Sequence, residues 1–170
     1  AYCNSKKPSQ DDNVRLSVLE MGELKDKPDL PAAVRFSMMI YVEQRMYLSD
    51  RQQPKVCLID EAWKLLSKDN KRAEDFIENG YRTARKYNGA YITITQGIED
   101  FDGQKASGAA KAAWANSSFK IILRQNRDAF RKYCLDNPEA FNRFEREVIE
   151  GFPAAREAHF SAFMLRYGGQ

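Results

Sequence analysis

Val56-Cys57-Leu58-Ile59 is an unbroken apolar run that stops at two carboxylates, Asp60 and Glu61. Apolar residues without alternation predict a strand buried on both faces, as in a parallel sheet covered by helices. Ligand sites of such sheets lie beyond the carboxyl ends of the strands, and that is where this chain sets its two acids. The same letters also suit a helix N-terminus, with Asp60 capping a helix that starts near Ala62.

The strand reading has the pattern of a Walker B motif. In it Asp60 holds the Mg²⁺ of a nucleotide, and Glu61 orients or deprotonates the attacking water. Composition narrows the alternatives. A chain of 170 residues, 43% apolar and 30% charged, suffices for one soluble domain with its own core. A net charge of +3 is too small to argue for nucleic acid by bulk electrostatics. Cys3, Cys57 and Cys134 are odd in number and far apart. They match neither a disulfide framework nor a metal spacing, which suits a reducing, cytoplasmic setting. With His159 the sole histidine, no His-based metal site or catalytic triad can be assembled. No apolar run approaches the roughly 20 residues that span a bilayer, and no secretory signal is visible.

Along the chain, residues 1–13 read as a flexible N-terminal segment and 14–170 as the folded part. A strand is expected over Arg15–Met21, then a polar connection over Gly22–Asp29. A buried helix follows over Leu30–Leu48, with Met38 and Met39 as core filler. After the acids a short helix over Ala62–Leu66 is expected. The clearest helix covers Lys71–Tyr87, where Ala73, Phe76, Ile77, Gly80, Tyr81 and Ala84 share one stripe. At roughly 100° per residue, Arg82 points away from that stripe and Arg85 lies on its flank. Asn88-Gly89 supplies a left-handed stop. Then come a strand over Ala90–Thr95 closed by Gln96-Gly97, a loop or short turn over 97–103, and a helix of small residues over Lys105–Asn116. A strand over Phe119–Leu123 precedes Gln125. Helices over Arg127–Leu135 and Pro138–Ile149 and a last strand within Ala158–Tyr167 complete the chain. The repeating strand–helix–strand order predicts right-handed crossovers and a mostly parallel sheet flanked by helices.

Three strand ends then carry polar groups: Asp60 and Glu61, Thr95 and Gln96, and Gln125. In a parallel sheet they converge on one edge. Nucleotide hydrolysis needs a metal-binding carboxylate, a group that positions water and a polar residue that senses the γ-phosphate. Asp60, Glu61 and Gln96 suit those roles in that order. Taken alone, Thr95 and Gln96 suit better the ordinary task of strand-end hydrogen bonding.

Val56-Cys57-Leu58-Ile59-Asp60-Glu61-Ala62-Trp63, Arg82-x-x-Arg85-Lys86-Tyr87-Asn88-Gly89, Ile94-Thr95-Gln96 and Phe163-Met164-Leu165-Arg166-Tyr167-Gly168 together resemble the conjugation and type IV secretion ATPases. These are RecA-like motors related to FtsK and HerA, and the pilus-assembly members are the nearest in pattern. The resemblance runs from about Arg15 to Gly168. It implies a partial RecA-like P-loop NTPase fold within a hexameric, plasmid-borne ATPase. That motor would sit at the cytoplasmic face of a bacterial inner membrane, work with the secretion channel proteins there, and use ATP and Mg²⁺. Asp60 matches the metal-side acid and Glu61 the catalytic glutamate, and Gln96 belongs to the Thr-Gln motif beside Thr95. Thr95 and Gln125 complete the nucleotide-facing set. Arg82 and Arg85 match a stretch that supplies arginine fingers across subunit boundaries, Arg85 being preferred. Arg82 also suits an i, i+4 ion pair with Glu78.

One departure is plain. No Gly-x-x-x-x-Gly-Lys-Ser/Thr occurs in the 170 residues, so the amides, lysine and hydroxyl of a P-loop are missing. The chain reads as the C-terminal part of a motor domain, unable to hydrolyse ATP alone. Other classes stay open: a non-catalytic assembly or partner-binding module, and part of a DNA-translocating motor. The modest charge gives the last of these, and nucleic acid as a partner, little support.

Overall fold

The computed structural model describes residues 15–18, 30–62, 65 and 71–168. The segment 1–13, the connection 22–29 and most of the short helix expected over 62–66 lie outside the described residues. So does the end of the first expected strand, whose residues 15–18 are irregular. The chain falls into two units divided between Met38 and Met39. In the first, the described structure is the 15–18 stretch and the opening turns of helix α1 (Leu30–Tyr47).

The second unit holds the rest of α1 and the remaining elements. Strand β1 (Lys55–Ile59) leads through α2 (Lys71–Thr83) to β2 (Gly89–Thr93), and the two strands pair in parallel. This is the expected crossover unit. Helix α2 ends four residues earlier than its stripe suggests and tightens into a 3₁₀ turn, Ala84–Tyr87. Asn88 closes it at φ 54°, with its N–H on the carbonyls of Ala84 and Arg85, the left-handed stop an Asn tolerates.

Further along lie α3 (Glu99–Asp102), α4 (Gly108–Asn116), β3 (Phe119–Leu123), α5 (Arg127–Asp136), α6 (Arg143–Glu150), α7 (Ala155–Ala158) and β4 (Phe163–Tyr167). A single helical turn, α3, fills the stretch expected as a loop or short turn. Local capping sets the helix starts. The Ser107 hydroxyl accepts from the Ala110 amide, which delays α4 to Gly108. Asn142 and Glu145 exchange bonds in a capping box. Helix α6 therefore begins at Arg143, and Asn137-Pro138 opens a turn instead.

The parallel expectation holds for β1 and β2 only. Strand β4 pairs antiparallel with β3, Phe119 opposite Tyr167 and Leu123 opposite Phe163. Among the described residues no ladder joins the two pairs.

Two cores lie beneath them. Met46, Ala62, Phe76, Ile77, Ala84, Tyr91, Ala109, Ala110 and Ala113 form one, and Ile98, Ile122, Phe130, Tyr133, Cys134, Phe141 and Ile149 the other. The alanines of α4 leave room for close approach to α2. Burial on both strand faces, as read from Val56–Ile59, is not what forms. Cys57 and Ile59 turn toward the first core, while Val56 is 64% and Leu58 59% exposed. Helices cover one face, and Val56 and Leu58 stand on the face without a layer among the described residues. Ile92, Phe119, Ile121, Phe163 and Leu165 are exposed in the same alternating way. Helix α1 is likewise less buried than its composition predicts: Met46 is buried but Ile40 is exposed.

Candidate functional site

The site is built on the end of β1. Ile94 donates its N–H to the carbonyl of Ile59 at 2.9 Å, and its own carbonyl accepts the N–H of Ala62 at 2.9 Å. Asp60 and Glu61 are thereby looped out between two hydrogen bonds that end on one residue. Ala62 turns inward and is fully buried in the first core, so the loop is held at both ends.

Both acids are exposed. One Asp60 carboxylate oxygen, Oδ1, accepts the N–H of Glu61 at 2.8 Å. A helix cap would accept from an amide two or three residues on, so this bond is not one. Glu61 stands in the left-handed region at φ 51°, which costs a side-chain-bearing residue about 1 kcal/mol. Backbone cost at an exposed acid beyond a strand end is a feature of functional sites.

The second strand end is folded back on itself. The Thr95 hydroxyl donates to the Gly97 carbonyl at 3.1 Å, and the Gly97 N–H lies 3.4 Å from Asp100 Oδ2. Gln96, between them, is exposed and makes no side-chain hydrogen bond to the other described residues. Thr95 therefore has the local bonding task, while Gln96 is left available.

Gln125, on the third strand end, has both ends of its amide engaged by the protein. Its Oε1 accepts the N–H of Ile98 at 3.1 Å, and its Nε2 donates to the Leu123 carbonyl at 3.1 Å. Ladder bonds join the first two clusters, and this side chain joins the second to the third. Arg124, Gln125, Asn126, Arg127, Asp128 and Ala155 line an open hollow of about 500 Å³ beside it.

The two arginines part company. Arg82 lies 2.8 Å from Glu78 in an i, i+4 ion pair. Arg85, on the 3₁₀ turn, is exposed and forms no ion pair among the described residues.

Behind the loop the walls are neutral. The Tyr81 hydroxyl hydrogen-bonds the Thr93 side chain at 2.8 Å, a link that no sequence period announces. Burial pushes the Cys57 thiol up to about 11 and raises Tyr91 as well. Among the described residues no three His, Cys, Asp or Glu side chains cluster as a metal cage. Magnesium in nucleotide sites needs only one or two carboxylates beside phosphate and water oxygens. The exposed Asp60, with Oδ2 outside any described hydrogen bond, fits that demand.

A parallel strand pair with acids looped out at its carboxyl end, flanked by helices, is part of a P-loop NTPase fold. The model of the TraG P-loop domain family matches residues 3–138, and the chain belongs to that family, among the type IV secretion ATPases. It is 51% identical over 165 residues to Protein TraC of Escherichia coli (strain K12), covering 97% of this chain and 19% of that protein. In fold it resembles VirB4 of Thermoanaerobacter pseudethanolicus, with a TM-score of 0.53 at 24% identity over 68% of this chain and 29% of that one. The chain thus spans about a fifth of the curated relative. Among the described residues, no helix is long and apolar enough to cross a membrane.

Proposed function

We propose that this chain carries the Walker B and Thr-Gln elements of an ATP-hydrolysing secretion or pilus-assembly motor, whose phosphate-binding loop lies elsewhere in the longer polypeptide. The observation that carries the reading is the pair Asp60–Glu61, looped out between the two hydrogen bonds to Ile94. Asp60 would hold Mg²⁺, which when bound with ATP neutralises charge on the phosphates. The Glu61 carboxylate orients a water for attack on the γ-phosphorus and takes its proton as the bond to ADP breaks. Gln96 hydrogen-bonds the γ-phosphate from the neighbouring strand end. Arg85 reaches a neighbouring subunit's nucleotide in a hexamer, because Arg82 is already paired to Glu78. Channel proteins at the cytoplasmic face of the inner membrane are the partners this assignment implies.

The test is ATP turnover by the full-length parent with Glu61→Gln. Retention of ATP without turnover is expected, and normal turnover would remove Glu61 from its role. The 170-residue chain alone should show no Mg²⁺-dependent binding of a fluorescent ATP analogue. Tight binding abolished by Asp60→Ala would mean that its phosphate contacts do not require a P-loop.

A second reading, an assembly module without catalysis, is favoured by one observation. Val56, Leu58, Phe119, Ile121, Phe163 and Leu165 leave apolar strand faces exposed, and such faces call for further polypeptide.

A further inference from the structure

We infer that Gln125 is a positioning residue, which fixes the Gln96 loop from the end of another strand; the inference rests on the ATPase reading above. Strands β2 and β3 share no ladder. Other bonds must therefore set the end of one pair of strands against the other.

Gln125 supplies one with both halves of its amide. Oε1 takes the N–H of Ile98, two residues beyond Gln96, and Nε2 is held by the Leu123 carbonyl at the end of β3. Ile98 is itself buried in the second core beside Ile122 and Phe130. Its N–H needs a protein acceptor, because water reaches it poorly. Farther along the same segment, the Tyr133 hydroxyl of α5 donates to Asp102 Oδ2 at 2.7 Å. The segment carrying Gln96 is thus fastened to the β3–α5 region at Ile98 and at Asp102, leaving Gln96 exposed between this anchorage and β2.

No shorter or apolar side chain does this work, and a carboxylate of the same length does the half of it that faces Ile98. Asparagine lacks a methylene of reach. Glutamate keeps the acceptor for Ile98 but loses the donor to Leu123. Leucine keeps the bulk and loses both bonds. A loop that shifts by about 1 Å near reacting atoms can lower a rate by roughly a hundredfold. A residue that only positions should therefore act on kcat.

The experiment compares Gln125→Leu, Gln125→Glu and Glu61→Gln in the full-length parent, reading kcat and KM for ATP with hydrogen exchange at the Ile98 amide. Gln125→Leu should lower kcat roughly ten- to a hundredfold with KM nearly unchanged, and speed exchange at Ile98. Gln125→Glu should keep Ile98 protected and recover much of kcat. Should the Leu variant fail to fold, the Glu variant still decides, because Ile98 protection with near-normal KM is expected of it alone. A raised KM at unchanged kcat would make Gln125 a nucleotide contact and overturn the inference. So would wild-type kcat in the Leu variant, or equal loss in both variants. Absence of ATP turnover in the unmutated parent would defeat the ATPase reading instead, leaving Ile98 exchange to report the clamp by itself, whereas turnover surviving Glu61→Gln would only remove Glu61 from its role.

Discussion

Ala62 hydrogen-bonds the carbonyl of Ile94 at 2.9 Å, and Ile94 in turn hydrogen-bonds the carbonyl of Ile59. One residue of β2's extension thus holds the chain on both sides of Asp60 and Glu61. A strand that simply ended would leave those acids on a free loop. Here their backbone is pinned against the strand that continues into Thr95 and Gln96, which is the preorganisation that charge-stabilising chemistry requires.

Under the proposed reading, Arg85 and Arg82 should separate in the full-length parent. Arg85→Ala is expected to lower turnover by about a thousandfold if it acts as a finger, with thermal stability unchanged. Arg82→Ala should mainly remove its exposed pair with Glu78, a change of about 0.5 kcal/mol. Steady-state turnover and melting of the two variants check this, and the reverse ranking of rates would reassign the finger.

Gly80 is required by close approach. A Cβ there would meet Tyr91 ring atoms at 2.6–2.8 Å, and that ring is hemmed in by Phe76 and Tyr81. Overpacking costs about 1–3 kcal/mol against a helix-propensity gain of up to about 1 kcal/mol. Gly80→Ala should therefore destabilise by about 1 kcal/mol in urea unfolding. A gain in stability would show that Tyr91 moves aside freely.

Cys57 should react slowly with thiol reagents. Burial holds its pKa at about 11 rather than 9.0, so near pH 8 the thiolate fraction is about a hundredfold below that of an ordinary thiol. Labelling of Cys57, followed by peptide mass, should accelerate as pH rises toward 11 and at once in denaturant. Rapid labelling of the native chain at pH 8 would contradict the burial argument.

Arg166 ties β4 to α6. Its Nε lies 3.1 Å from Glu145, Nη1 donates to the Ala140 carbonyl at 3.0 Å, and the guanidinium sits 4.8 Å over the Phe141 ring. Arg166→Ala should cost about 1.5–3 kcal/mol. Arg166→Lys should recover little of it, because an ammonium cannot serve two acceptors and stack at once. Chemical denaturation distinguishes these outcomes.

Local chemistry was legible where it needs only near neighbours. The stripe of α2 and the left-handed stop at Asn88 follow from periodicity and from what a short polar side chain tolerates, and the strand at Val56–Ile59 follows from its apolar run. The 3₁₀ turn at Ala84–Tyr87 was not legible, since the same stripe serves either helix type for one turn. The delayed starts of α4 and α6 had a readable signal in Ser107 and in Asn142 with Glu145. The helical patterns starting at Lys105 and Pro138 masked it.

What the sequence determined by itself was chemical identity: two acids after an apolar run, polar residues after two more strands, and the motifs that tie the chain to its family. Tertiary structure decided which of those residues are available. Beside the Arg82–Glu78 pair that helical spacing had already offered, it left Arg85 exposed, and it brought the Gln125 side chain onto the distant N–H of Ile98. It also turned β4 antiparallel to β3. These outcomes depend on which distant backbone groups arrive within about 3 Å of a side chain, and a linear pattern of apolar and polar letters does not encode that distance.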